Sequence, residues 1–152
     1  MNQLQRIKDI LYKDLESHCF GYKKKNAYDH LFGVSSLCGL FAIQRNLNVD
    51  IACIIGLFHD YSSFITGTSF DHASRSAMMT EKILKDTNIF SDEEITIITT
   101  AIKNHSFKNK IDDEYSELIK DADVLHQYLQ EKDKVFSKDY QNRLNQLLSK
   151  LS

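Results

Sequence analysis

A chain of 152 residues, 42% hydrophobic and 26% charged, has the composition of one ordinary globular domain with room for a real core. Its formal net charge of −2 argues against a dedicated nucleic-acid binder, and none is expected as a partner. No apolar run approaches bilayer length, so no membrane association is expected.

The opening MNQLQRIKDI is helical rather than signal-like in character, so a cytoplasmic protein is expected. Cys19, Cys38 and Cys53 have no CxxC spacing and read as buried reduced thiols. Proline is absent and glycine scarce, which points to an all-α fold with short connections.

In chain order, Leu4, Ile7, Leu11 and Leu15 form one apolar stripe on an outer helix that breaks near Ser17 to Gly21. Lys23, Lys24 and Lys25 follow as a solvated run. A second helix is predicted from about Ala27 to Ile43, with His30 on its core face among Leu31, Val34, Leu37, Cys38 and Phe41. After a polar turn, Asp50 is the expected N-cap of a buried helix, IACIIGLFHD, that ends in His59 and Asp60. Burying a carboxylate demands a cation, a hydrogen-bond network or a metal, and the adjacent imidazole favours the metal.

Residues 61 to 70 read as a loop across the mouth of a site. Asp71 is the expected cap of the next helix, with His72 in its first turn and Arg75 one turn on, where a helix N-terminus favours an anion. Ser91 and Glu94 form a capping box for a helix whose Ile95, Ile98 and Ile102 lead to His105. Beyond a basic loop, YSELIKDADVLHQYLQ sets Tyr115, Leu118, Ile119, Ala122, His126 and Leu129 on one face, with Asp123 on the inner side. A last amphipathic helix, about 133 to 151, carries no candidate chemistry and reads as core closure or the face of a homodimer.

The residues at inward positions or helix ends are therefore His30, His59, Asp60, His72, His105 and Asp123, contributed by five helices. Mixed imidazole and carboxylate donors suit a first-row transition metal.

The order His30, then the His59 and Asp60 doublet, then Asp123, within GLFHDYS and KDADVLHQYL, resembles the HD-domain superfamily of metal-dependent phosphohydrolases. The resemblance covers about residues 26 to 130 of a single domain spanning 1 to 152. It implies an all-α HD bundle holding a divalent transition metal such as Mn²⁺ or Fe²⁺ through those four residues. It also implies hydrolysis of a nucleotide or similar small phosphorylated substrate by a metal-activated water. Some members add two histidines between the doublet and the last aspartate and bind a dinuclear pair, and His72 and His105 lie in that interval. One ion with His105 outside its ligand sphere is the other arrangement. Asp60 is the expected ligand, bridge or proton acceptor, and Arg75 and His105 are expected at the phosphate or the leaving group. Many members follow the doublet with Ile, Gly and Lys, where this chain has Tyr61, Ser62 and Ser63. Arg75, Lys103, Lys108 or the Lys23 to Lys25 run would then supply the cation. Alternatives on the same resemblance are a mixed-valent di-iron oxygenase and a non-catalytic nucleotide-sensing or interaction domain.

Overall fold

The computed structural model describes residues 2–152, and among them every regular element is helical. In order these are α1 (Gln3–His18), α2 (Gly21–Gln44), α3 (Val49–Phe58), α4 (Tyr61–Thr66), α5 (His72–Thr87), α6 (Asp92–Asn104), α7 (Glu114–Gln130) and α8 (Lys138–Leu151). The all-α expectation holds.

Helix α3 is the centre of the bundle. Seven of its ten residues are buried, and α1, α2, α5, α6 and α7 all pack against it. The most apolar stretch of the chain, Val49–Thr66, is thus a core helix that breaks at the His59 and Asp60 doublet before continuing as α4. Small residues let α2 and α3 approach closely. A Cβ at Gly56 would lie 2.6 Å from Ser35 Cα, and one at Gly39 would lie 2.9 Å from Cys53 Sγ. Cys19 and Cys38 are buried, Cys53 is half-buried, and all three are free thiols.

Several boundaries differ from the sequence reading, each for a local reason. Helix α2 starts at Gly21, so Lys23 to Lys25 ride on its exposed first turns instead of preceding it. Asn48, not Asp50, caps α3. Its side chain accepts from the Ile51 amide at 3.0 Å, while Asp50 lies inside the first turn, where a carboxylate meets the positive end of the helix.

The predicted loop 61–70 begins as helix α4. Tyr61, Phe64 and Ile65 form a short apolar stripe that packs inward, and Gly67 ends it in the left-handed region at φ 78°. Asp71 stands at the cap position of α5, but at φ 48° its side chain makes no capping bond. The Ser91 and Glu94 capping box is present. Leu129, expected on the core face of α7, is exposed, and α8 begins at Lys138 behind a Ser137 cap. Through buried Leu144 and Leu147, α8 closes the bundle over α7.

Since the nearest atom to a new Cβ at Gly56 is backbone, the α2–α3 contact cannot yield by a rotamer change. Gly56→Ala is expected to lower stability by about 1–3 kcal/mol, the usual cost of overpacking a close contact. Urea unfolding at neutral pH measures it, and an unchanged midpoint would show that the two helices have slack.

Candidate metal centre

The six histidines and aspartates singled out from the sequence converge, and helix ends deliver most of them. His59 and His105 occupy the C-cap positions of α3 and α6, Asp60 the N-cap position of α4, and His72 the first residue of α5. His30 and Asp123 project from within α2 and α7.

Three of the imidazoles are held by the same device. His59 Nδ1 is 2.7 Å from the Gly56 carbonyl, His105 Nδ1 is 2.6 Å from that of Ile102, and His72 Nδ1 is 3.2 Å from that of Ser69. Each reaches back three residues. At the ends of α3 and α6 the accepting carbonyl belongs to the last turn, where helix carbonyls lack their usual amide four residues on, and that of Ile102 also takes the His105 backbone N–H at 3.3 Å. A carbonyl only accepts, so each Nδ1 carries the proton and each Nε2 is left facing the centre.

Those Nε2 atoms meet the Asp60 carboxylate. Its Oδ2 lies 2.7 Å from His30 Nε2 and 3.2 Å from His59 Nε2, and its Oδ1 lies 3.0 Å from His105 Nε2 and 3.4 Å from His72 Nε2. Asp123 Oδ1 is 3.5 Å and 3.4 Å from the Nε2 atoms of His30 and His59, yet it is buried without a hydrogen bond. Two donor groups result. His30, His59, Asp60 and Asp123 could hold one ion, and Asp60, His72 and His105 a second.

The electrostatics agree with that chemistry. Burial pushes the His105 pKa down and outweighs Asp60, so its imidazole is neutral, with its proton committed to Ile102. Its bare Nε2 then faces a carboxylate oxygen at 3.0 Å, lone pair to lone pair. Burial also pushes His59 down, but Asp60 and Asp123 prevail and hold its imidazolium up to about 10. Burial raises the Asp60 and Asp123 carboxyls. Their cationic neighbours, His59 at Asp60 and chiefly Lys108 at Asp123, keep both well below the usual carboxylate range. Bare nitrogens, ionised carboxylates and an unpartnered buried oxygen fit a divalent cation.

A cavity of about 250 Å³ opens on the second group. Asp60, His72, His105 and Asp123 line it together with Ser63, Ser69, Ser106, Lys108, Gln127 and Tyr140. Arg75 is half-buried on α5 and is not among the lining residues. Lys108 is the cation that arrives there. Although it belongs to a basic loop, it is buried, with Nζ 2.8 Å from Asp123 Oδ2 and 2.6 Å from the His105 carbonyl. Lys103 is exposed. Of the residues after the doublet, Tyr61 turns away to bond Asp14 of α1, the Ser62 backbone N–H donates to Ser76, and only Ser63 reaches the cavity.

The sequence reading passed over Tyr140 because α8 looked purely amphipathic, and over Gln127 because nothing marked it. A phenol in an otherwise Leu-rich stripe was the one available signal. His126 packs edge-on against His30 with ring centroids 5.4 Å apart, and any side chain at Gly33 would collide with it. It thereby supports the His30 ring from behind.

A model of the HD domain family matches residues 27–128. No curated protein and no solved structure matches the chain.

Because an ion at the first group must displace the His59 proton, metal uptake below pH ~10 releases that proton, and apparent affinity rises with pH. Between pH 6 and 8 the gain is expected to approach about tenfold per unit for one proton released. Calorimetric titration with Mn²⁺ in buffers of different ionisation heat measures this directly. An affinity flat across that range would show that no imidazolium proton at His59 is displaced.

Proposed function

The chain belongs to the HD domain family, and on that footing we propose that it is a metal-dependent phosphohydrolase acting on a nucleotide or similar small phosphorylated metabolite. In this reading His30, His59, Asp60 and Asp123 ligate one divalent ion, and Asp60, His72 and His105 a second. The observation that carries it is the meeting of the bare His105 Nε2 with Asp60 Oδ1 at 3.0 Å, an approach that a shared cation makes favourable.

When bound, such ions lower the pKa of a coordinated water toward neutrality and polarise a phosphoryl oxygen. The chain's own residues set up the rest. Asp60 presents one oxygen to each donor group, so it would be a ligand common to both if two ions bind. With the first group alone occupied, Oδ1 would be the carboxylate oxygen left to hold a proton. The His105 proton is tied to a backbone carbonyl, which suits a ligand better than a leaving-group acid. Arg75 stands outside the cavity lining, and the lysine at the centre is Lys108, paired with Asp123.

The same six donors, with one shared carboxylate, also suit a mixed-valent di-iron oxygenase. Iron content, a di-iron paramagnetic resonance signal and substrate-dependent oxygen uptake together would favour that chemistry.

Protein purified with its metals measured is expected to hydrolyse nucleotides or generic phosphate esters in the presence of Mn²⁺ or Fe²⁺. The double substitution His59→Ala and Asp60→Ala is expected to drop hydrolysis to background, and full activity in that variant would overturn the assignment.

A further inference from the structure

Helix α8 lies beyond the matched segment, which ends at residue 128, yet it contributes Tyr140 to the lining of the cavity. Its Tyr140 lines the space beside Lys108, whose Nζ is 5.0 Å from the ring centroid, and beside Gln127. One turn further along, Arg143 grips the loop that carries Lys108. Its Nε and Nη2 donate to the Lys108 carbonyl at 3.2 and 3.1 Å, and Nη2 donates to that of Lys110 at 3.1 Å. From the other edge of the guanidinium, Nη1 pairs with Glu117 and Asp121 of α7. Arg143 therefore fixes the loop to two helices at once.

An ammonium has three N–H donors. Two of those on Lys108 go to Asp123 Oδ2 and the His105 carbonyl, and among the described residues no carboxylate or carbonyl takes the third, which is left to the Tyr140 phenol. A cation and the hydroxyl beside it, on two residues that line the cavity exposing the candidate ligands, make an anion subsite next to those ligands. The cavity, about 250 Å³, falls below the ~300 Å³ lower bound for pockets that enclose drug-sized ligands. It therefore suits a phosphoryl group with the bulk of its substrate outside.

We infer that Lys108 and Tyr140 bind the non-bridging oxygens of a terminal phosphoryl group, with Arg143 as the residue that positions Lys108, so that α8 completes the substrate site. The inference rests on the phosphohydrolase reading and narrows it to terminal phosphates, since a diester needs room for a substituent on both sides of phosphorus.

Calorimetric titration of the Mn²⁺-loaded protein with orthophosphate, metal content being measured per chain, tests it without turnover. Wild type is expected to bind orthophosphate and to bind dimethyl phosphate at least about tenfold more weakly. Tyr140→Phe, which leaves every candidate ligand in place, is expected to weaken orthophosphate about tenfold, as for loss of one hydrogen bond to a charged group. Lys108→Met and Arg143→Ala are expected to lose at least as much. Arg45→Ala breaks a 2.7 Å ion pair to the same Asp121 without touching the loop, and is expected to bind like wild type. If Lys108→Met fails to load metal, the test rests on Tyr140→Phe. Orthophosphate binding unchanged in metal-loaded Tyr140→Phe would overturn this subsite and leave the hydrolase reading standing. No orthophosphate binding to loaded wild type would overturn both.

Discussion

The carboxylate of Asp60 is the interaction around which the molecule is arranged. Four imidazole nitrogens from four different helices come within 3.4 Å of its two oxygens, two on each. Such convergence inside a protein is costly unless charge and hydrogen bonding are matched. Much of the architecture follows from meeting that demand. The break between α3 and α4 falls at the doublet, turning the most apolar helix of the chain into the support of its most polar point.

Helix termini do the positioning. A terminal turn leaves carbonyls short of their helical partners, and a histidine placed three residues later bonds one of them through Nδ1. The bond keeps the proton on Nδ1 and fixes the ring direction, so Nε2 is the nitrogen aimed at the centre, bare in His105 and protonated in His59. Further out, His126 backs His30, and the absence of a side chain at Gly33 makes room for it. Outer partners of this kind orient the groups that hold an ion and tune them.

A second ionic system braces the loop between α6 and α7. Lys120, fully buried, donates to Asp112, Glu117 and the Lys110 carbonyl, while Arg143 ties Glu117 and Asp121 to the carbonyls of Lys108 and Lys110. The buried Lys120 ammonium and the half-buried Arg143 guanidinium are tolerated because each meets carboxylates and carbonyls together. The result is a loop rigid enough to carry Lys108 into the core, where its pairing with Asp123 outweighs burial and holds its pKa up.

Much of this was legible in the amino-acid sequence. Helical periodicity, the Ser91 capping box and the lack of proline determined an all-α fold, and the order of His30, His59 with Asp60, and Asp123 determined which residues to watch. These are local signals: an apolar stripe or a cap depends on neighbours within a few positions. Residues 61–66 were misread because Tyr61, Phe64 and Ile65 make too short a stripe to distinguish from a loop until tertiary packing buries it. Asn48 and Asp50 were both acceptable caps, and only backbone geometry chose between them. Lys108 could not be picked out from the surrounding lysines by composition, nor Tyr140 from a plain amphipathic helix. What only the tertiary structure decided was the sharing of Asp60 between two donor groups, the closing of α8 over the cavity and the burial of one lysine among several. Each depends on distances between residues remote in the chain, which the fold sets and local patterning does not encode.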